Sequence, residues 1–342
     1  MLRRLVYDPT EKLPEDLLVA MFSVYKIYSS EEIEHVALRG ISLSLYKGEL
    51  ISCVGPSGSG KTTLLNIMAG LIPPTAGSVY WKPLDADITR FSTSQLADTR
   101  KEFLGYIAQI PFLIPHLSVM KNVMLAGMIF NKEKDTNKIK SYARELLERI
   151  GISDKAKTSP NKLSSGELQR VALVISLINK PSIVLADEPT GNLDYNTGEQ
   201  FLDLLVEINE TLETAFFIVT HSSQVAKRTQ KIVELSDGVL IGLHSSPSLT
   251  KLSRTRVLIP DAQNRIFLPG EILSYRPWGF TVEIDRSKII LTPVSQINEL
   301  DVSDISLEEI LCQLCGRANP AKNRFCEHCG SFLSRFKFFV ED

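Results

Sequence analysis

The sequence contains no uninterrupted apolar stretch of the roughly 18 residues that a membrane-crossing helix needs. Its start, MLRRLVYDPTEKLPEDLL, lacks a continuous apolar core of the kind that directs secretion. The polypeptide is therefore expected in the cytoplasm, reaching any membrane only through a partner. Excess charge is missing too: 38 Lys and Arg stand against 40 Asp and Glu, a net charge of -2. That balance excludes a global drive toward nucleic acid or anionic lipid. Cysteine is scarce along most of the 342 residues, with one at Cys53 and the other four crowded between Cys312 and Cys329. Such a distribution excludes a disulfide framework and points to a metal site. Internal repeats and long low-complexity tracts are absent. With 44% hydrophobic and 23% charged residues, the chain is neither fibrous nor wholly disordered. At roughly 100 to 200 residues per domain, its length predicts two or three domains.

From about Leu18 to Leu243, strand-like apolar runs (ELISCV, SIVLA, FFIVT) alternate with stretches of helical period, which predicts an α/β domain with a mostly parallel sheet covered by helices. The Ser-rich HSSPSLTKLSR, from His244 to Arg254, reads as a linker. TRVLIP, RIFLP, FTVEI and KIILTP then predict short strands, so residues 255–295 read as a small β module. A polar helical stretch is expected near Glu299 to Leu311, ahead of the cysteine cluster.

Residues 55–62, GPSGSGKT, match the spacing G-x-x-x-x-G-K-[ST], with a strand before and a helix after. Gly55, Pro56, Ser57, Gly58, Ser59 and Gly60 form a loop of small residues whose amides can wrap a polyphosphate at a helix N-terminus. Lys61 is placed to reach the β and γ phosphates and the Thr62 hydroxyl to ligate Mg2+, with Thr63 next in the helix. SIVLADEP ends an apolar strand in two carboxylates: Asp187 is placed for the magnesium shell, Glu188 to polarise an attacking water.

LSSGELQR (residues 163–170) followed by ADEPTGNLD (residues 186–194) resembles the signature, Walker B and D-loop succession of ATP-binding cassette (ABC) ATPases, over roughly residues 20–243. ISLSLYKGE, LIPPTAGSV, NVMLAG and DEPTGNLD are most similar to the ATPase subunits of lipoprotein-release and macrolide-type exporters, a group that also holds cell-division ATPases. The resemblance implies an ABC-type P-loop fold with a helical subdomain over residues 1–245. It implies that Tyr28, with Tyr25 as the weaker candidate, stacks on adenine. It further implies that Gln109 contacts magnesium and water and senses a transporter partner, and that the His221 switch histidine contacts the γ phosphate. Ser164 and Gly166 of the signature, with Asp194 of the D-loop, would act across an interface on nucleotide held by a second cassette, most simply an identical copy. Ser165, Glu167 and Ile175 depart from the commonest pattern, and Ser165 adds bulk where the loop approaches phosphate. The implied function is an ATP-hydrolysing subunit peripheral to the inner face of the membrane, beneath separate permease subunits. The alternative is an ATP-switched regulator that binds protein or nucleic acid.

Cys312, Cys315, Cys326 and Cys329 form two C-x-x-C pairs ten residues apart, a set that suits structural Zn2+; an iron-sulfur centre or redox dithiols are alternatives. Residues 306–342 thus read as a zinc ribbon and 246–305 as linker plus β module. That module is either a small extension of the cassette or a swapped-hairpin fold similar to AbrB. Its few basic residues do not support direct nucleic-acid binding.

Overall fold

The computed structural model describes residues 13–29, 34–130, 135–245, 279–285, 288–294, 309–311 and 318–320. The chain divides into two compact units, Met1–Leu268 and Pro269–Asp342.

The first unit is built on a six-stranded sheet, in the order β10 (Val239–Ser245), β9 (Lys231–Ser236), β3 (Leu50–Val54), β8 (Ala215–Thr220), β7 (Ile183–Asp187), β6 (Leu104–Ile107). Its strands are parallel except for the edge strand β10, which runs antiparallel to β9. This is the mostly parallel sheet that the apolar runs predict. Those runs are almost wholly apolar because both faces are buried; Ser52, the polar residue within β3, is itself buried and hydrogen-bonded to Thr229 at 2.8 Å. In β7, Ile183 and Leu185 face one core while Val184 and Ala186 face the other; in β8, Phe217 and Val219 oppose Phe216 and Ile218.

On the first face lies an antiparallel sheet that the periodicity does not predict, in the order β2 (Glu34–Tyr46), β1 (Leu17–Ser29), β4 (Ala76–Trp81), β5 (Ala86–Asp87). Val19, Met21 and Val24 of β1 and Leu38, Ile41 and Leu43 of β2 enter the same core as Ile51 and Cys53. Also in it are Leu64, Leu65, Ile67 and Met68 of α1 (Lys61–Met68) and the fully buried Trp81. Repeated register shifts between β1 and β2 mask the two-residue alternation that would otherwise mark these long strands. Helix α2 (Thr93–Phe103) begins with a Ser92/Gln95 capping box and buries Phe103 against Trp81, ring centroids 5.2 Å apart.

The opposite face carries the helical part: α3 (Val119–Phe130), α4 (Thr136–Arg149), α5 (Ser165–Leu177) and α6 (Tyr195–Leu212), followed by the short α7 (Ser223–Arg228). Val123 of α3, Leu146 and Leu147 of α4, Leu173 and Leu177 of α5 and Phe201 of α6 share one core with the sheet. Asp135, Ser164 and Asp194 cap α4, α5 and α6 by accepting from first-turn amides.

The linker expectation needs one correction. His244 and Ser245 pair with Ile232 and Lys231, so β10 runs through the first two residues of the predicted linker. Backbone pairing to a strand already in place outweighs a Ser-rich composition.

In the second unit, β11 (Gly279–Asp285) and β12 (Lys288–Val294) form an antiparallel hairpin, matching FTVEI and KIILTP. TRVLIP and RIFLP lie outside the described residues. The end of the predicted polar helix is instead β13 (Glu309–Leu311), paired antiparallel with β14 (Ala318–Pro320). A partner strand nearby supplies hydrogen bonds that local helix preference cannot match. Cys312, Cys315, Cys326 and Cys329 lie outside the described residues.

Candidate functional site

Four parallel strands end at the same edge of the sheet, and each delivers chemistry there. After β3 comes the glycine loop, after β6 Gln109, at the end of β7 Asp187 and Glu188, and after β8 His221. The carboxyl edge of a parallel sheet is where ligands of such folds bind, because loops diverge there and helix N-termini point in.

The glycine loop is held by its own backbone. Gly58 and Gly60 have φ of 79° and 101°, in the left-handed region where a side chain is strained. At Gly60 a Cβ would also lie 2.4 Å from the Ala37 carbonyl oxygen, so loop and β2 approach too closely for anything else. Lys61 is 8% exposed, and its Nζ donates to the carbonyls of Gly55 and Pro56, both at 2.8 Å. The ammonium thus sits inside the curve of the loop.

Thr62 Oγ1 donates to Asp187 Oδ1 at 3.3 Å, linking the start of α1 to the end of β7. Burial pushes the pKa of Asp187 up, with Glu188 adding to the rise, while the Thr62 hydrogen bond and Lys61 oppose it. Tyr106 in β6 is driven to about 12, first by burial and then by the Asp187 charge. Glu188 stands at φ 46°. Its Oε1 is 2.8 Å from His221 Nδ1, and its Oε2 accepts from the Thr220 hydroxyl at 2.9 Å and the His221 amide at 3.3 Å. Asn192 Nδ2 donates to the Gln109 carbonyl at 3.1 Å, tying the segment after β6 to the one after β7.

Together these segments line an open cavity of about 680 Å³, walled by Ser57, Gly58, Gly60, Lys61, Thr62 and Thr63, by Gln109, Asp187, Glu188 and His221, and by Tyr28, His35 and Ala37. Tyr28 is therefore the aromatic ring at this wall; Tyr25 pairs with Ala76 and is not in the lining. Gly55, Pro56 and Ser59 shape the loop from behind. His35 and Ala37 are absent from the sequence-derived set. His35 pairs directly with Tyr28 across β1 and β2, so only the strand register betrays it. Thr220, which immediately precedes His221, is likewise absent from that set.

Ser164, Gly166 and Asp194 do not join the cavity. They lie at the starts of α5 and α6, with Ser164 and Asp194 exposed and Gly166 buried. A Cβ on Gly166 would lie 2.4 Å from Thr197 Cγ2, and Thr197 donates to Asp194 through its hydroxyl at 2.6 Å. Ser164 is exposed, and its amide and hydroxyl meet Glu167 Oε2 at 2.8 and 3.0 Å. The Ser164 amide, and then Lys155 at 3.0 Å, hold Glu167 below the usual carboxylate range. Among the described residues, no group of three or more His, Cys, Asp or Glu is placed to hold a metal ion, and no helix is long and apolar enough to cross a membrane.

A family model described as ABC transporter matches residues 38–191. The lipoprotein-releasing system ATP-binding protein LolD of Idiomarina loihiensis is 38% identical over 225 residues, covering 66% of this chain and 97% of the relative. Its counterpart in Shewanella denitrificans is 40% identical over 223 residues, covering 65% and 94%. Among solved structures, a dimeric post-hydrolysis state of the ATP-binding cassette MJ0796 bound to ADP and Pi shares 34% identity at a TM-score of 0.61, covering 67% of this chain and 99% of that one.

Proposed function

The chain belongs to the family of ABC transporter ATPases, and on that premise we propose how its residues divide the work of binding and hydrolysing ATP. It is the ATP-binding subunit of an ABC transporter, of the type of the lipoprotein-releasing relatives. One observation carries the reading: phosphate-loop, magnesium and water-activating candidates converge on one cavity, while the Ser164 surface stays outside it.

The backbone N–H groups from Gly55 to Thr63, Pro56 excepted since it has none, cradle the phosphates, and Lys61 exchanges its carbonyl partners for phosphate oxygens. Tyr28 stacks on the adenine. Thr62, Asp187 and Gln109 present hydroxyl, carboxylate and amide oxygens at one wall, a donor set that fits Mg2+. When bound, the ion offsets phosphate charge and the cost of burying Asp187. Glu188 accepts the proton of the attacking water, and His221 contacts the γ phosphate. Ser164, Gly166 and Asp194 complete the site of a facing cassette, most simply a second copy: all three lie outside this chain's own cavity, and Ser164 and Asp194 are exposed.

Ile110, Phe112 and Ile114 after β6, with Met128 and Ile129 at the end of α3, are exposed apolar side chains, Phe112 at 90%. We assign them to contact with membrane permease subunits, and we propose on that reading that the chain works at the inner face of the membrane. Nucleotide-driven closure would move the permease by changing these contacts. Tagged full-length chain recovered from detergent-solubilised membranes is expected to bring down a polytopic membrane protein; recovery of soluble partners alone would overturn the transport reading.

We also propose residues 1–245 as the cassette, 246–305 as linker and β module, and 306–342 as a zinc ribbon. The spacing of Cys312, Cys315, Cys326 and Cys329 supports the ribbon. Elemental analysis of the reduced protein is expected to find about one zinc per chain, and less in Cys312→Ser. Iron, or no metal, would overturn it.

A further inference from the structure

Behind the residues that face the cavity lies Thr220, the last residue of β8, with no exposed surface. Its hydroxyl makes two hydrogen bonds, one with the Ser222 amide at 3.0 Å and one with Glu188 Oε2 at 2.9 Å. Their directions are forced. A backbone N–H can only donate, so the single hydroxyl proton is left for the carboxylate.

Glu188 needs such a hold. It leaves β7 in the left-handed backbone region, at φ 46°, where a non-glycine residue is uncommon. The second side chain on its carboxylate, His221, is 69% exposed, so packing does little to restrain that ring. Thr220 is enclosed on all sides and stays where β8 puts it.

We propose that Thr220 is a positioning residue for hydrolysis: its buried hydroxyl holds Glu188 Oε2 so that the carboxylate faces the attacking water whatever the His221 ring does. The proposal rests on Glu188 acting as the general base. A threonine that merely fills space would serve the fold equally well as valine, apart from the Ser222 amide. A threonine that aims the base acts on turnover and not on nucleotide binding, and only while Glu188 is there to be aimed.

Full-length Thr220→Val, Thr220→Ala and Thr220→Ser, each alone and combined with Glu188→Gln, distinguish these roles by steady-state ATP turnover and thermal melting. Val and Ala are expected to lower kcat about tenfold with KM within about twofold. Ser, which keeps the hydroxyl, retains about half of the wild-type rate or more. Neither Val nor Ala slows the Glu188→Gln protein further, because the two changes remove one function. Wild-type kcat in both Val and Ala, equal losses in Ser and Val, or a further tenfold fall in the Glu188→Gln background would each overturn the proposal. Unfolding of both Val and Ala alongside a native Ser variant would assign the hydroxyl to stability and overturn it as well. A wild-type chain without ATP turnover would instead sink the reading of the site itself.

Discussion

Glu188→Gln is expected to lower ATP turnover by about 10²- to 10⁴-fold, the usual contribution of a positioned general base, while leaving ATP affinity within a few-fold of wild type. The amide keeps the shape of the carboxylate and can still accept at one oxygen, so the Thr220 and His221 amide contacts at 2.9 and 3.3 Å have a partner. What it cannot do is take a proton from water. Because Glu188 makes no hydrogen bond to Lys61 or to the loop that surrounds it, phosphate binding has no reason to suffer. Bound ATP that is not cleaved should hold two cassettes together. Size-exclusion chromatography with Mg2+ and ATP is therefore expected to show a dimer for the variant, where wild type reverts to monomer as ATP is consumed. A variant hydrolysing ATP at the wild-type rate would remove Glu188 from the mechanism.

Lys61→Ala is expected to act on the other half of the cycle. The ammonium donates to two carbonyls at 2.8 Å and has 8% exposure, so it is positioned before any nucleotide arrives. Hydrogen bonds to charged groups contribute about 1.5 to 3 kcal/mol each, and this cation would serve two phosphates. Calorimetry with a non-hydrolysable ATP analogue should show affinity reduced by about 100-fold or more, with turnover falling below detection. Loss of the two carbonyl contacts also loosens the loop, at a cost of about 1 to 2 kcal/mol in stability. A thermal melt separates that cost from the binding defect: a folded variant with intact affinity would show that the phosphates bind elsewhere.

Most of the elements around the site are legible along the chain because their signals are local. β3, β7 and β8 are mainly apolar runs with no alternating polar side, since a strand covered on both faces has none to show. The start of α5 is marked by Ser164 and Glu167, whose reciprocal hydrogen bonds span a single turn. Legibility ends where pairing over distance decides. β1 and β2 hide behind register shifts, His244 and Ser245 join a strand despite linker composition, and Glu309–Leu311 pairs with Ala318–Pro320 instead of extending a helix.

By itself the sequence determined which chemical groups this protein carries and in what order: a phosphate loop, a lysine, a hydroxyl, two carboxylates at a strand end and a histidine. Each is written in a short run whose spacing follows from one turn or one strand. Only the tertiary structure decided which of them share a cavity. Parallel strands lying side by side bring Thr62 to Asp187, 125 residues apart in the chain, and Glu188 to His221. The same packing turns Ser164 and Asp194 to another face, adds His35 opposite Tyr28, and seals Thr220 behind Glu188. Those neighbours arise from strand order and register, which are settled by how the sheets pack and not by any stretch of residues alone.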